Sequence, residues 1–440
     1  MSGTEIFPHY AGVPFENLVV PGVVTPGFGP GERRDPFWSM VWANSHGGPV
    51  INWRSSRMDR ELRDADIGTT ASRQHWAKGS PRTVEDAREI LPRRRPRVEA
   101  LATINLWREI TGEQLAAMCA NPSLASSDRD DVSVLYDAGF IQRGRFAYNG
   151  SLLRDHAEIF RPEPDAPVQI PEMTYADWLS VTLGGEPIRG HQYDRHNLLA
   201  TELSLRVAEM CPIRSVLGES AATWPRLFHP SLSPNPYRAA DAVWLREDGL
   251  TIIVEMVATA VVATMQRKID QLTDLLARDT TKSSAVLFVV AADQRHDRSG
   301  DVARAVRRIV KQSVRSSMSR VLADVPKRVA VARWEDWFPG PGLASREFIG
   351  LRAWRCLDGT SWSEADLLDP YYFPFALFDA PEVAQTLDNV ALVLGAPHWL
   401  RKRSTRGDEF DDDVLDHAGF PDVLKPLLKS PRRGSSRGSR

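Results

Sequence analysis

Apolar positions along this 440-residue chain change period several times, and each change marks a candidate element. Val98 to Ile110 carries apolar residues at helical spacing. Thr111 followed by Gln114 places an N-cap and a capping-box partner ahead of a second helix with Leu115, Met118 and Cys119 on one side. After a turn at Pro122, Ser126 or Ser127 caps a third helix through Tyr136. Gln142-Arg143-Gly144-Arg145-Phe146 then reads as a tight hairpin. Further on, Asp194 to Met210 predicts a helix burying Leu198, Leu199, Leu203, Leu205, Val207 and Ala208. A short strand follows at Ser215 to Glu219. The runs 241–245 and 251–258 flank Glu247-Asp248-Gly249, the signature of a β-hairpin. A helix from about 261 to 278 leads to Ala285–Ala292, a nearly pure apolar run that fits a strand buried on both sheet faces. Asp301 to Leu322 is a basic amphipathic helix, and Val329 to Trp334 a last strand. The predicted order is α-β-β-β-α-β-α-β.

Elsewhere the pattern loses its period. Residues 1–96 are rich in Pro, Gly and scattered Trp (Trp38, Trp42, Trp53, Trp76), which predicts an irregular arm docking its aromatics on the rest of the chain or on a protein partner. Leu91 to Pro96 reads as a basic hinge. A helical unit then spans 97–150, a proline-rich linker 151–185, and an α/β domain 186–335. A packing extension with Trp354, Trp362 and the cluster Tyr371 to Phe375 covers 336–429, and 430–440 is a basic disordered tail.

Composition narrows the class without choosing a function. Hydrophobic content of 42% and charged content of 25% are ordinary for a globular protein, and the length allows two or three domains. A net charge of −2 hides local patches at Arg93–Arg95, Arg401–Arg403 and Arg432–Arg440, with an acidic run at Asp408–Asp413. The three cysteines, Cys119, Cys211 and Cys356, are too few and too widely spaced for a disulfide framework or a zinc site. The first twenty residues lack a signal-peptide pattern, and no apolar run is long enough to span a bilayer. The expectation is a cytoplasmic protein without a membrane partner.

The chemistry concentrates on the hairpin. Asp241 opens its first strand and Glu255 lies inside its second, so pairing brings two carboxylates together as a seat for a divalent cation that handles phosphodiesters. The bland reading pairs Glu255 with Arg238 or Lys268 as a simple ion pair. His191 and His196 miss the i, i+4 spacing of a helical zinc pair and are read as structural or phosphate-facing. No Walker A, dinucleotide-binding or nucleophile-elbow motif is present, so a nucleotide cofactor is not expected. For nucleic acid, the candidates are Arg129 on the third helix, Arg143 and Arg145 on its hairpin, and Arg304, Arg308 and Lys311 on the basic helix.

Helix, helix-turn-helix and basic hairpin resemble a winged helix, in which the third helix enters the major groove. Asp128, Asp130 and Asp131 beside Arg129 leave a protein-binding winged helix as the competing reading. The α/β order with its two acids resembles the restriction-endonuclease-like core of PD-(D/E)xK proteins. The whole layout over roughly residues 98–335 resembles the replication-relaxation family of actinobacterial mobile elements. That family's pattern falls on His196 with Asn197, Gly218-Glu219, Ala240-Asp241, Val254-Glu255 and Lys268-Ile269. The resemblance implies a DNA-binding protein acting in replication, transfer or maintenance of an element or phage. It further implies Mg²⁺ on Asp241 and Glu255, help from Glu219, and a lysine beside the attacked phosphate. The chain departs from the pattern where Val257 stands two residues after Glu255 in place of lysine, and Ala240 in place of proline. The site is therefore expected to be degenerate, or to be an active nuclease using Lys268 from the next helix. A structural or assembly protein reusing both folds is the third reading.

Overall fold

In a computed structural model of the chain, the apolar run 284–290 lies near the middle of a seven-stranded sheet, bonded on both sides by parallel neighbours. The structure describes residues 10–39, 50–64, 82–148, 151–152, 157–166, 173, 175–183, 194–228, 238–258, 262–279, 284–292, 297, 300–318, 324–371 and 393–401. His191, Trp42, Trp76, most of the Tyr371–Phe375 cluster, the Asp408–Asp413 run and the 430–440 tail lie outside them.

The large sheet is mixed. Strands β7 (Ser215–Gly218), β8 (Ala242–Leu245) and β9 (Thr251–Val257) are antiparallel, and β10 (Ser284–Val290) and β11 (Val329–Arg333) continue it in parallel. Strands β13 (Arg352–Arg355) and β14 (Ser363–Asp366) close it antiparallel, so residues expected to form a separate extension instead complete the sheet. Three long helices pack on it: α7 (Asp194–Met210), α8 (Val262–Arg278) and α9 (Asp301–Met318). The predicted element order therefore stands, with each boundary shifted by a few residues. All seven residues of β10 are buried, as its lack of polar alternation requires.

The region upstream departs further from expectation. Helix α1 (Ser56–Asp64), α2 (Val84–Ile90), α3 (Arg95–Trp107), α4 (Gly112–Met118) and α5 (Asp130–Asp137) surround a five-stranded sheet. The sheet runs β2 (Val50–Arg54), β4 (Ile141–Tyr148), β6 (Ile159–Pro162), β3 (Ile110–Thr111), with β5 (Ser151–Leu152) beside β4. The Thr111–Gln114 capping box forms as expected. Residues 91–96 are not a hinge. They form a helical turn running into α3, with Leu91 buried, and Pro96 sits in the first turn of α3, where its missing N–H costs nothing. Residues 142–146 are not a hairpin either. They lie within one strand, β4, hydrogen-bonded to β2 on one side and β6 on the other. The stretch 151–185 likewise supplies β6 and helix α6 (Tyr175–Thr182) in addition to any connection.

The N-terminal arm docks on the core through charge as well as aromatics. Strand β1 (Gly12–Pro14) pairs with β12 (Leu343–Ser345), and Phe15 and Phe37 are buried. Arg33 enters between two glutamates of α7, 3.0 Å from Glu202 and 2.5 Å from Glu209, with all three side chains excluded from solvent. Arg206, one turn on from Glu202, bonds Asp35 at 2.6 Å and lies over the Phe15 and Phe338 rings. The two arginines hold the Glu202 carboxyl below its usual range despite its burial. For Glu209, burial wins and raises it. Among the described residues no helix is long and apolar enough to cross a membrane, and the three cysteines are free and buried.

Candidate active site

Strand register brings the two hairpin acids together. Ala242 sits opposite Val254 at the end of the ladder, and Asp241, the residue before it, donates its N–H to the Val254 carbonyl at 3.0 Å and accepts the Met256 N–H at 2.6 Å. These bonds on both sides of Glu255 lay the Asp241 carboxyl beside that of Glu255. Helix α8 covers this face, and its Lys268 ammonium lies against Glu255 Oε2. Of the two ion-pair partners weighed for Glu255, the structure selects Lys268. Arg238 instead donates to Gln271 and stacks near Trp224.

Helix α7 adds a residue on the other side. His196, in the first turns of that helix, places Nε2 2.8 Å from Asp241 Oδ2, which also accepts the Met256 N–H at 2.6 Å. These two donors fix the Asp241 carboxyl. Glu219 follows directly on β7 and forms an ion pair with Arg108, from the end of α3. Asp241, Glu255, Lys268 and Glu219 thus converge, joined by His196 and by Arg108, which the sequence did not single out. The sequence marks His196 as structural or phosphate-facing and, with Asn197, as part of the resemblance. Arg108 has no local signal at all.

The electrostatics separate the carboxyls. Burial would raise Asp241, but the His196 and Lys268 charges and the two hydrogen bonds overcome it and hold the group below its ordinary range. Glu255 goes the other way. Burial, reinforced by the Asp241 charge, raises it although Lys268 pulls it down. Burial would lower Lys268, and the facing carboxylates raise it instead. Glu219 is raised by burial and by Asp241 against the pull of Arg108.

The residues proposed for nucleic acid fare differently. Arg143 and Arg145 are half-buried members of the five-stranded sheet, engaged with other side chains of the unit. Arg143 donates to Ser127 Oγ at 3.0 Å and stacks 4.1 Å from the Tyr136 ring, and Arg145 bonds Glu158 at 2.6 Å. Their guanidiniums satisfy the fold and present no wing to a backbone. The acids of α5 are paired within the unit as well: exposed Asp130 and buried Asp131 both pair with Arg97, and Asp131 also with Arg94. On α9, Arg304 pairs with Asp301 at 2.5 Å and Lys311 donates to the Thr360 carbonyl. Arg129 and Arg308 are exposed and make no side-chain ion pair among the described residues.

The donor set suits a small hard cation. Glu255 has a nearly fully buried side chain whose Oε2 is met by the Lys268 ammonium. A buried carboxylate needs such a cationic partner, and a metal ion can serve as one. Among the described residues no group of three or more His, Cys, Asp or Glu side chains has the arrangement of a metal cage. Two carboxylates are nonetheless what Mg²⁺ commonly takes from a protein, the remaining positions going to water and substrate phosphate. Asp241 and Glu255 fit that requirement, with Glu219 alongside. Comparison with family models, with curated proteins and with solved structures finds no match to this chain.

Proposed function

We propose that this chain is a divalent-metal-dependent phosphodiesterase acting on DNA, with a PD-(D/E)xK-like site whose lysine comes from helix α8. The reading rests on one observation: the carboxyls of Asp241, just before β8, and of Glu255, on β9, lie together with the Lys268 ammonium against the second acid. The antiparallel β7–β8–β9 set followed by parallel β10, flanked by α7 and α8, is the arrangement such a core needs.

The roles follow from the positions. Asp241 and Glu255 would hold Mg²⁺, which polarises the scissile phosphate and lowers the pKa of an attacking water. His196 and the Met256 N–H orient Asp241, so that its carboxylate is set before any ion arrives. Lys268 offsets negative charge developing on the phosphate, the work Val257 cannot do from the strand. A function in replication, transfer or maintenance of a mobile element is what the family resemblance implies.

A second reading is favoured by the same ion pairs. His196 and Lys268 already compensate both acids, as they would in a silent site kept for its stability in a DNA-binding protein. Labelled duplex and single-stranded DNA, incubated with Mg²⁺ or EDTA, separate the two. Mg²⁺-dependent cutting that Asp241→Ala abolishes supports the phosphodiesterase. Salt-sensitive binding without cutting supports the silent site, and neither binding nor cutting rejects both.

A further inference from the structure

We propose that Arg108 is the phosphate-binding arginine of this site, delivered from the helical unit to the DNA strand held at Asp241 and Glu255. The inference rests on the phosphodiesterase reading and names the group that grips its substrate.

The backbone at Arg108 is unusual. Helix α3 ends there at φ 62° and ψ −38°, and the Glu109 N–H donates back to the Trp107 carbonyl at 2.7 Å. This is a γ-turn of the positive-φ kind, rare and strained for a residue with a Cβ. A non-glycine residue in such a region costs on the order of 1–3 kcal/mol and persists where the surroundings over-determine it. Glycine would serve the turn better, so the side chain has a use that the turn alone does not explain.

The surroundings do over-determine it. Gly218, the last residue of β7, lies so close to α3 that an added Cβ would come within 2.5 Å of the Leu106 carbonyl oxygen and 2.9 Å of the Trp107 Cα. Ser220 Oγ donates to the Asn105 carbonyl at 2.6 Å. The end of α3 and the end of β7 therefore meet backbone to backbone, and the strained turn directs the Arg108 guanidinium onto Glu219, next to Asp241. At 14% side-chain exposure Arg108 is mostly enclosed but not sealed from solvent.

Chemistry completes the argument. Arginine is suited to gripping a phosphodiester because its planar fork matches two phosphate oxygens at once.

The test uses the full chain with Arg108→Gly, which removes the side chain and relaxes the turn, and Arg108→Lys, which keeps the charge. A labelled 20-mer duplex is titrated at several salt concentrations in EDTA and in Ca²⁺, alongside thermal melting. Arg108→Gly is expected to weaken binding about tenfold or more and to lower the salt slope by about one, while melting within a few degrees of the parent. Arg108→Lys is expected to keep the parent slope. A parent-like affinity and slope in Arg108→Gly overturns the proposal, as does a loss matched by collapse of the fold in both variants. If Arg108→Gly binds normally while Asp241→Ala abolishes cutting, the arginine assignment fails and the phosphodiesterase reading survives.

Discussion

Replacing Lys268 by glutamine asks whether Glu255 is a seat for cations. The Glu255 side chain is 1% exposed, and among the described residues the Lys268 ammonium is the cation paired with it. Breaking a fully buried ion pair costs about 3–5 kcal/mol, since the surviving charge is left without compensation. Two effects reduce that figure here. The lysine side chain is 39% exposed, so solvent already screens part of the attraction. Glu255, raised by burial even with Lys268 present, also escapes the penalty by taking up a proton. A cost of about 1–2 kcal/mol remains, which corresponds to a fall of roughly 2–8 °C in Tm for a domain of this size. Differential scanning fluorimetry in EDTA reads this directly. The second half of the prediction is more specific. Mg²⁺ should raise the Tm of Lys268→Gln more than that of the parent, because the ion takes over as the partner of Glu255. Cutting should fall by about 10²–10³ as the stabilising charge is lost. A parent-like Tm in EDTA, or a Mg²⁺ response no larger than the parent's, would refute the role given to the Glu255–Lys268 contact.

Other perturbations bear on the remaining links. Glu255 titrates above its ordinary range and must be ionised to hold a cation, so Mg²⁺ affinity by calorimetry should rise about tenfold per pH unit below its folded pKa and level off above it. Glu255→Gln should be both weak and flat. Arg33→Ala takes the paired guanidinium from buried Glu209 and leaves Glu202 with Arg206 alone as its ion-pair partner among the described residues. It should cost about 3–5 kcal/mol in urea unfolding, less in acid where the pair can protonate, with partial recovery on adding Glu209→Gln. Neutralising Arg143 and Arg145 to glutamine should lower the melting temperature and leave the salt dependence of DNA binding unchanged, because both guanidiniums are committed inside the fold. Gly218→Val should separate α3 from β7 and abolish cutting, with new proteolysis near Trp107 as the readout.

Much of the α/β core could be read from the chain because its signals are local and strong. An acid within Ile252-Ile253-Val254-Glu255-Met256-Val257 has to find a partner, and a turn at Glu247-Asp248-Gly249 leaves little choice of register, so Asp241 beside Glu255 followed. The capping box of α4 was visible for the same reason. The failures are non-local. Arg143-Gly144-Arg145 has the composition of a turn, yet β2 and β6 come from distant parts of the chain to make it a central strand. Gly144 is there because Ile51 and Trp53 press on it from β2. Whether an arginine faces a phosphate or an internal acid depends on such partners, and nothing adjacent to Arg145 announces Glu158. Arg108 was hidden more thoroughly, since a strained turn enforced by contact with Gly218 has no compositional trace.

The Arg33 clamp also sets the order in which the molecule can be completed. Arg33 is bonded to residues 169 and 176 positions later in the chain, and β1 waits for β12, more distant still. At synthesis rates of about 5–20 residues per second, roughly 10–30 s separate the emergence of Arg33 from that of Glu202. During that interval Phe15, Phe37 and a lone guanidinium remain in water with nowhere to go. The first segment made is thus placed in two stages: Arg33 can lock α7, the helix that presents His196, before the site strands at 242–257 have been made, whereas β1 waits for residues 343–345. A ribosome-bound chain halted before residue 202 would carry the arm unclasped, and its protease sensitivity would time the moment of closure.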